Sequence, residues 1–297
     1  IKPDYAEAYY NMGNALKDQG KLEEAIKAYS KALTIKPDNA DAYHNMGITL
    51  KDQGKLEEAI KAYSKALAIK PDYADAYYNM GITLKDQGKL EEAIEAYNKA
   101  LAIEPDFAEA YNNMGITLQE QDKLEEAIEA FNKALAIKPD NAQAYYNMGN
   151  ALKEQHRLDE AVEAYNKALA IKPDYAEAHR YLSMLTKYIP NGPQISEVDD
   201  LLQDPNLNDS DRCNLQYTYA KMKEDLGDIS AAFDNYVAGG ALRQKLLGYD
   251  FAQDQNIFVK IKNTASKFKD VAVRLSGEAI RHTPIFILGM PRSGTTL

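Results

Sequence analysis

The chain has 297 residues, of which 45% are hydrophobic and 27% are charged, as in an ordinary folded protein, and no segment approaches the about 18 uncharged apolar residues of a transmembrane helix. Its 45 acidic side chains outnumber its 35 basic ones, which argues against nonspecific binding to nucleic acid or to an anionic membrane and favours a neutral or basic partner. A lone cysteine, Cys213, excludes an internal disulfide and a cysteine-rich metal site, and the four histidines lack metal-ligand spacing, so we expect no metal.

A unit of 34 residues recurs along the first part of the chain. Within each unit the apolar residues follow a period of 3.6 in two stretches, which predicts two helices joined by a turn at Gly20 and its equivalents. A proline ends the second helix, because its ring blocks the next turn. The prolines are Pro3, Pro37, Pro71, Pro105, Pro139 and Pro173. We expect five complete repeats and the start of a sixth, stacked around one continuous core.

Small residues recur where the two helices of a repeat must approach each other. In the first repeat they are Gly13, Ala25 and Ala32, and the next four repeats keep them. Their small side chains let the helix axes come close, while Tyr9 and Tyr29 fill the space on either side. The sequence therefore predicts close helix pairs, with small residues at the contact and large ones on either side.

The pattern Y-x2-M-G-x2-L, then A-x3-Y, then P resembles the tetratricopeptide repeat family over residues 1 to about 187. The resemblance implies an all-α fold, a solenoid of helix-turn-helix repeats with a right-handed superhelical twist, and a role in binding proteins or peptides. Tyrosine stands where the family most often has tryptophan. Asp122 and His156 replace the turn glycine of repeats four and five, and a left-handed conformation there should cost about 1 kcal/mol more.

The first helix of each repeat carries polar residues opposite the Tyr/Met/Gly stripe, and by family resemblance this side lines the concave groove of the superhelix. One position is asparagine in every complete repeat, at Asn11, Asn45, Asn79, Asn113 and Asn147, a set named here the asparagine ladder. An amide that both donates and accepts can hold a peptide backbone without recognising side chains. The ladder is similar to that in the repeat domain of O-linked N-acetylglucosamine transferases. The alternative is that these asparagines serve only the scaffold.

Aromatic residues precede the asparagine ladder in several repeats. They are Tyr10, Tyr78 and Tyr146, with His44 and Asn112 at the two remaining positions. Tyrosines there would add amphipathic contact surface for a bound peptide. The alternative is that they only pack on neighbouring first helices.

Residues 189–282 have the pattern of a helical connector. The stretch YIPNGPQ predicts a linker, and a short helix is expected within ISEVDDLLQD. A longer helix should be capped by Asn208 or Ser210 and end at Gly227, and a further one is expected over residues 252–268. Aligned on Gly227, this region keeps small or aromatic residues at the repeat positions, which predicts one degenerate repeat. These residues are Ala220, Ala232, Tyr236 and Gly239.

Residues 283–297 change character. The apolar run 285–288 is typical of a buried strand, and the glycine-containing loop and hydroxyls that follow are typical of a phosphate cradle. The spacing from Gly289 to Gly294 matches a Walker A loop, but the lysine that such a loop requires is missing. The arrangement P-R-S-G-T-T resembles instead the 5′-phosphosulfate-binding loop of sulfotransferases that use 3′-phosphoadenosine 5′-phosphosulfate (PAPS). The resemblance implies that the 5′-phosphate is held by Arg292, Ser293, Gly294, Thr295 and Thr296.

The predicted organisation is a repeat array over residues 1–188, a connector over 189–282 and, over 283–297, the first strand and loop of a truncated α/β, P-loop-like sulfotransferase domain. The connector also resembles the region that joins repeats to a sulfotransferase domain in bacterial repeat-sulfotransferase proteins. Because the chain begins at Ile1 and stops inside a motif, we expect a piece of a longer protein. The family's catalytic residues would then lie beyond Leu297, so this piece should be inactive and hold no PAPS.

The leading hypothesis for the intact protein is a cytoplasmic, PAPS-dependent sulfotransferase whose repeats recruit the acceptor or a partner protein. The second hypothesis is an interaction module alone, with an incidental terminal loop. A third, a glycosyltransferase of the O-linked type, fits the asparagine ladder but not the terminal loop. A lone thiol is typical of a reducing compartment, which favours the cytoplasmic setting.

Overall fold

The computed structural model describes residues 5–190, 192–250, 255–260 and 262, and all regular structure among these residues is helical. The five complete repeats contribute two helices each, which are α1 Ala6–Asp18, α2 Leu22–Ile35, α3 Ala40–Asp52, α4 Leu56–Ile69, α5 Ala74–Asp86, α6 Leu90–Ile103, α7 Ala108–Glu120, α8 Leu124–Ile137, α9 Ala142–Glu154 and α10 Leu158–Ile171. Repeat six contributes α11 Ala176–Leu185, and the connector contributes α12 Pro193–Leu202, α13 Asp209–Asp225 and α14 Ile229–Leu246. Part of the helix expected over 252–268 is described, and it is helical there.

The chain divides into two compact units, Ile1–Arg243 and Gln244–Leu297. The predicted boundary between the repeat array and the connector, between residues 188 and 189, lies inside the first unit. No helix within the described ranges is long and apolar enough to cross a membrane.

The turn inside each repeat depends on a residue with left-handed backbone. The glycines at this position in repeats one to three have φ values of 73° to 75°, and the nitrogen of Gly20 donates to the oxygen of Lys17 over 2.8 Å. Asp122 and His156 adopt the same conformation, with φ of 61° and 60°, as predicted. The turn geometry is therefore kept where glycine is lost, at the cost of a strained backbone conformation.

Replacing Asp122 by glycine should raise the stability of the array by about 1 kcal/mol, because glycine adopts positive φ without the Cβ penalty. The reverse change, Gly88→Asp, should lower stability by a similar amount. The urea midpoint of each variant measures the effect. An Asp122→Gly variant with a lower midpoint than the wild-type chain would contradict the assigned strain.

Each helix pair packs a first-helix glycine against a fully buried aromatic ring of the second helix. A Cβ placed on Gly13 would lie 2.5 Å from Cε1 of Tyr29, and the equivalent distances in repeats two to five are 2.5 or 2.6 Å. Ala25 and Ala32, on the same helix as Tyr29, are also fully buried. The ring thus lies directly on the first-helix backbone, so only glycine fits. The sequence predicted small residues at the helix contact but placed the tyrosines to either side of it.

Successive repeats join when the second helix of one repeat packs on the first helix of the next. At the first junction Ile26 contacts a buried cluster that contains Leu50, Ala59 and Tyr63. First helices also lie beside one another, since Asn45 on α3 donates a hydrogen bond to Tyr10 on α1. The side of the first helices that carries the asparagine ladder is named here the first-helix surface.

The connector continues the helical packing with different partners. Asn208 caps α13, because its Oδ1 accepts from the nitrogen of Asp211 over 3.0 Å, and Gly227 ends the helix with φ of 80°. The helix α11 packs directly on α13 rather than on a second helix of its own repeat. The helices α13 and α14 contact each other, since a Cβ on Gly239 would lie 3.3 Å from the Tyr217 ring, and the degenerate repeat expected here stays a prediction.

Candidate peptide-binding surface

The asparagine ladder links neighbouring repeats through side-chain hydrogen bonds. In four of the five repeats the amide nitrogen donates to the residue that precedes the ladder position of the repeat before it, 35 residues earlier. These pairs are Asn45 with Tyr10 Oη at 2.9 Å, Asn79 with His44 Nε2 at 3.0 Å, Asn113 with Tyr78 Oη at 2.7 Å and Asn147 with Asn112 Oδ1 at 3.2 Å. The first ladder residue, Asn11, is exposed. The ladder therefore fixes the register of adjacent first helices.

These internal bonds leave the amide oxygens available. Asn45 donates a second hydrogen bond to Asn14 Oδ1, and Asn79 donates one to the backbone oxygen of Asp75. The side-chain oxygens of Asn45, Asn79 and Asn113 accept no hydrogen bond from any described residue. They are also not buried. The sequence predicted that each ladder amide could both donate to and accept from a bound peptide. In the middle of the ladder the nitrogens already donate inside the protein, so these amides offer a partner mainly their acceptor oxygens.

The tyrosines beside the ladder pack on second helices and on the start of the next repeat. Their ring centroids lie about 6 Å from the buried second-helix ring, namely 6.1 Å for Tyr10, 6.2 Å for Tyr78 and 6.1 Å for Tyr146. Phe107 and Tyr175, which open the following repeats, lie 4.7 and 5.0 Å from Tyr78 and Tyr146. These contacts account for the tyrosines as scaffold residues, and each of the three residues stays half-buried.

The aromatic residues that open repeats three, four and six were not singled out from the sequence. They are Tyr73, Phe107 and Tyr175. The sequence nevertheless held a signal for them, because each of these residues follows a repeat in which an aromatic residue precedes the ladder asparagine. Repeat four has Asn112 at that place, and the repeat after it opens with Asn141. The first junction departs from this correlation, since Tyr10 is followed by Asn39.

Four exposed carboxylates stand one helical turn before the ladder asparagines. They are Glu7, Asp41, Asp75 and Glu109, and the fifth repeat has Gln143 instead. Glu109 lies 3.5 Å from Lys138 across an exposed ion pair, which contributes little. Together with the ladder oxygens, this row offers acceptors and negative charge to N–H groups and basic side chains, while Lys17, Lys51 and Lys85 add positive charge in the last turn of the same helices.

His44 occupies a tyrosine position but is buried and joins two repeats. Nε2 lies 3.0 Å from the amide nitrogen of Asn79, and Nδ1 lies 3.1 Å from Tyr73 Oη. Because the Asn79 amide nitrogen can only donate, Nε2 accepts and the ring proton sits on Nδ1. Burial lowers the pKa of His44, and the carboxylates of Asp75 and Asp41 oppose that fall. The ring is thus held neutral at physiological pH.

We expect acid to destabilise the array in part through His44. Its folded pKa lies below the ordinary value of 6.5, so the unfolded chain binds more protons as pH falls past that value. Stability should then drop by at most about 1.4 kcal/mol per pH unit. His44→Tyr should flatten the loss of melting temperature between neutral pH and pH of about 5, with a residual slope from buried His179. An unchanged slope would contradict the assigned neutral state.

Two of the buried second-helix tyrosines have a hydrogen-bond partner in their own repeat. Tyr29 Oη donates to Asn14 Oδ1 and Tyr165 Oη donates to Asn150 Oδ1, each over 2.8 Å. In repeats two to four an isoleucine replaces that asparagine. The hydroxyl in those repeats therefore depends on the next repeat for a partner.

The isoleucine-containing repeats show what happens to the hydroxyl. Tyr63 and Tyr97 form no hydrogen bond with a described residue, although Thr83 and Thr117 of the next repeat lie near enough to lower their pKa against the rise that burial causes. In repeat four, where alanine follows instead of threonine, the ring is Phe131. The hydroxyl is thus absent in the one complete repeat that offers it neither partner.

Removing the hydroxyl should have opposite effects in the two settings. Tyr97→Phe should be neutral or stabilising by up to about 1 kcal/mol, because it removes a buried group without a partner. Tyr165→Phe should cost about 1 kcal/mol, because it removes the hydrogen bond to Asn150. Urea midpoints of the two variants measure the difference, and equal losses in both would refute the assignment.

The predicted phosphosulfate loop, Arg292 to Thr296, and the strand expected before it lie outside the described residues. Among the residues that are described, no group of three or more His, Cys, Asp or Glu side chains is placed to hold a metal ion. Cys213 is buried and donates to the backbone oxygen of Gly239 over 3.4 Å, which is a structural role.

Comparison with known proteins identifies the repeats. A family model described as TPR repeat matches residues 13–54, 49–88 and 83–122, and one described as tetratricopeptide repeat matches residues 106–174. An uncharacterized protein of Aquifex aeolicus (strain VF5) is 32% identical over 112 residues, which are 37% of this chain and 14% of that protein. The chain thus spans only a small part of the length of this curated relative.

Solved structures share the same fold. The MamA crystal structure is 30% identical, with a TM-score of 0.53 over 58% of this chain and 94% of that one. YrrB, described as a TPR protein with an unusual peptide-binding site, is 28% identical, with a TM-score of 0.52 over 60% of this chain and 91% of that one. PilF of Pseudomonas aeruginosa, at 23% identity and a TM-score of 0.59 over 71% and 96%, shows the fold alone. Since the family models together match more than half of it, the chain belongs to the tetratricopeptide repeat family.

Proposed function

We propose that this chain is a protein-interaction scaffold that holds an extended peptide segment along its first-helix surface. The observation that carries the proposal is the state of the ladder amides at Asn45, Asn79 and Asn113. Their nitrogens are used inside the protein, while their oxygens are unpaired among the described residues and reach solvent. Membership of a repeat family and the likeness to YrrB support the same function.

An extended backbone matches such a surface because every peptide unit except proline carries an N–H donor. Ladder oxygens that accept these donors would hold the chain whatever its side chains are. The amides already form hydrogen bonds across the repeat junctions, so little side-chain entropy is lost on binding. The expected partner is thus an extended or disordered protein segment, selected by charge more than by sequence.

The location of the bound segment can be tested with peptides selected from a random display library on the intact chain. Each selected peptide is then made with a benzoylphenylalanine photo-cross-linker, and the attachment sites are found by mass spectrometry. Cross-links should map to α3, α5 and α7. Cross-links confined to the second helices α4, α6 and α8 would overturn the proposal.

We also propose that the intact protein is a PAPS-dependent sulfotransferase whose repeats recruit the acceptor or a partner. The support is the motif from Arg292 to Thr296, with Arg292 the residue expected to offset the charge of the transferring sulfuryl group. A cytoplasmic setting is supported by the single thiol. Calorimetric titration of 3′-phosphoadenosine 5′-phosphate into the intact protein without magnesium should show binding that weakens in Arg292→Ala. Absence of binding would leave the interaction module alone.

A further inference from the structure

One exposed position on the second helices changes its charge along the array. It is lysine in repeats one and two and glutamate in repeats three to five, at Lys27, Lys61, Glu95, Glu129 and Glu163. Its exposed neighbours are shared by all five repeats, with two acidic residues three and four positions earlier and a lysine four positions later. One surface of the array is therefore more basic over repeats one and two than over repeats three to five.

This position lies at the middle of the exposed face of each second helix. In α4, Glu58 and Lys65 lie one turn before and after Lys61 and are also exposed, whereas Ala59 and Ala62 are buried. Residues three and four apart share one face of a helix, so these charged side chains form one row directed to solvent. The exposed face of α2, α4, α6, α8 and α10 is named here the second-helix surface.

A notch with an apolar lining lies beside Lys61. Met46 and Leu50 of α3 line it, together with Glu58, Lys61 and Lys65 of α4. Neither lysine forms an ion pair with a described residue, so positive charge prevails around this notch.

An equivalent notch lies beside Glu129, two repeats further along the array. Met114 and Leu118 of α7 line it, together with Glu126, Glu129 and Lys133 of α8. Glu129 lies 2.7 Å from Lys133 in an exposed ion pair, which contributes little, and Glu126 forms no ion pair within the described ranges. Negative charge therefore prevails here, on the same surface that is positive beside Lys61.

We propose that the second-helix surface binds the same surface of a second copy of this chain, in a closed antiparallel dimer. Repeats one and two of one copy lie against repeats four and three of the other, so that Lys27 faces Glu129 and Lys61 faces Glu95. Two-fold symmetry forms each of these pairs twice. The apolar notches add buried surface to the opposite-charge contacts, while the charge pattern selects the partner and the register.

Other arrangements of two copies are less favourable. An antiparallel register shifted by one repeat places Glu95 against Glu95 of the other copy, and the opposite shift places Lys61 against Lys61. A head-to-tail arrangement displaced by three repeats forms half as many opposite pairs and leaves unpaired surface at both ends. The closed register alone joins both lysines to glutamates on both copies without a like-charge pair.

Two variants with the same net charge as the wild-type chain test this register. Lys61→Glu with Glu95→Lys exchanges the members of one pair, so every contact still joins opposite charges. Lys61→Glu with Glu129→Lys brings lysine against lysine and glutamate against glutamate in the same register. Each introduced residue is one that another repeat carries at this position, so both variants should fold, and circular dichroism checks this.

Sedimentation velocity of the full 297-residue chain measures the dimer at protein concentrations up to about 0.5 mM. At about 20 mM salt the wild-type chain and the Lys61→Glu, Glu95→Lys variant should dimerise, and about 500 mM salt should weaken both dimers at least tenfold. The Lys61→Glu, Glu129→Lys variant should dimerise at least tenfold more weakly than wild type already at low salt.

A wild-type chain that stays monomeric at low salt would overturn the proposal and leave the second-helix surface to an unlike partner. Equal dimerisation of both variants would mean that another surface joins the copies. The reverse order of the two variants would assign the register shifted by one repeat, and growth beyond the dimer would indicate the head-to-tail arrangement. Each of these three results contradicts the closed dimer.

Discussion

Replacing Gly81 by alanine should destabilise the array by about 2–3 kcal/mol, an effect measured as a fall in urea midpoint. The new Cβ would lie 2.6 Å from Cε1 and 2.7 Å from Cδ1 of Tyr97, far inside contact distance. The Tyr97 ring is fully buried and lies 6.2 Å from Tyr78, so it cannot turn away without disturbing the next repeat junction. The strain should therefore reach repeats three and four together.

A matched control is available in the connector. Gly240 is also helical, but a Cβ there would meet only Tyr217 Oη at 3.9 Å, so Gly240→Ala should stabilise by about 0.5–1 kcal/mol. Adding Tyr97→Leu to Gly81→Ala should recover part of the loss, because it removes the ring atoms that the new methyl group meets. Similar losses for both glycine variants would show that helix propensity, not the ring contact, explains the glycine.

Removing two ladder amides, Asn79→Ala with Asn113→Ala, should weaken binding of the library-selected peptides about tenfold to hundredfold. Each lost hydrogen bond is worth about 0.5–1.5 kcal/mol in net terms, and the amides act at separate repeats. Fluorescence of a Trp-bearing peptide measures the affinity, since the protein has no tryptophan of its own. The double variant also loses internal bonds to His44 and Tyr78, so its helicity must be compared with that of wild type by circular dichroism.

The control for this pair is Asn132→Ala with Asn166→Ala, which removes two exposed asparagines from second helices. Those substitutions should leave peptide affinity unchanged. Loss of affinity in both double variants would point to a general effect on the scaffold, and loss in neither would mean that the ladder serves only to join repeats.

Local backbone chemistry made part of this structure predictable. The left-handed turns at Asp122 and His156, the cap at Asn208 and the stop at Gly227 follow from residues within one or two positions of each feature. Their outcome depends on φ preference and on short side chains that reach the backbone, which the sequence displays directly. The linker prediction was less accurate, because Pro193 opens α12 in the first turn, where a proline is tolerated.

Longer-range features could not be derived from one repeat. The ladder amides donate to residues 35 positions earlier because neighbouring first helices lie side by side in one register. No local sequence pattern fixes that register. Met12, in the Tyr/Met/Gly stripe of the first repeat, is 41% exposed, since α1 has no described repeat before it, whereas the equivalent Met46 is half-buried. That the guanidinium of Arg180 lies over the ring of Tyr217, 4.6 Å from its centroid, also became visible only because α13 packs on α11.

The central claim is that ladder oxygens accept backbone N–H groups of the bound segment, and N-methylation of the peptide tests it most directly. A selected peptide is methylated at one backbone nitrogen at a time, and each version is titrated against wild type and against Asn79→Ala. At one nitrogen the methyl group should weaken binding to wild type by about tenfold and cause little further loss in the variant, because both changes remove the same hydrogen bond. If the losses add at every nitrogen, Asn79 does not accept from the peptide backbone, and the ladder is a scaffold feature only.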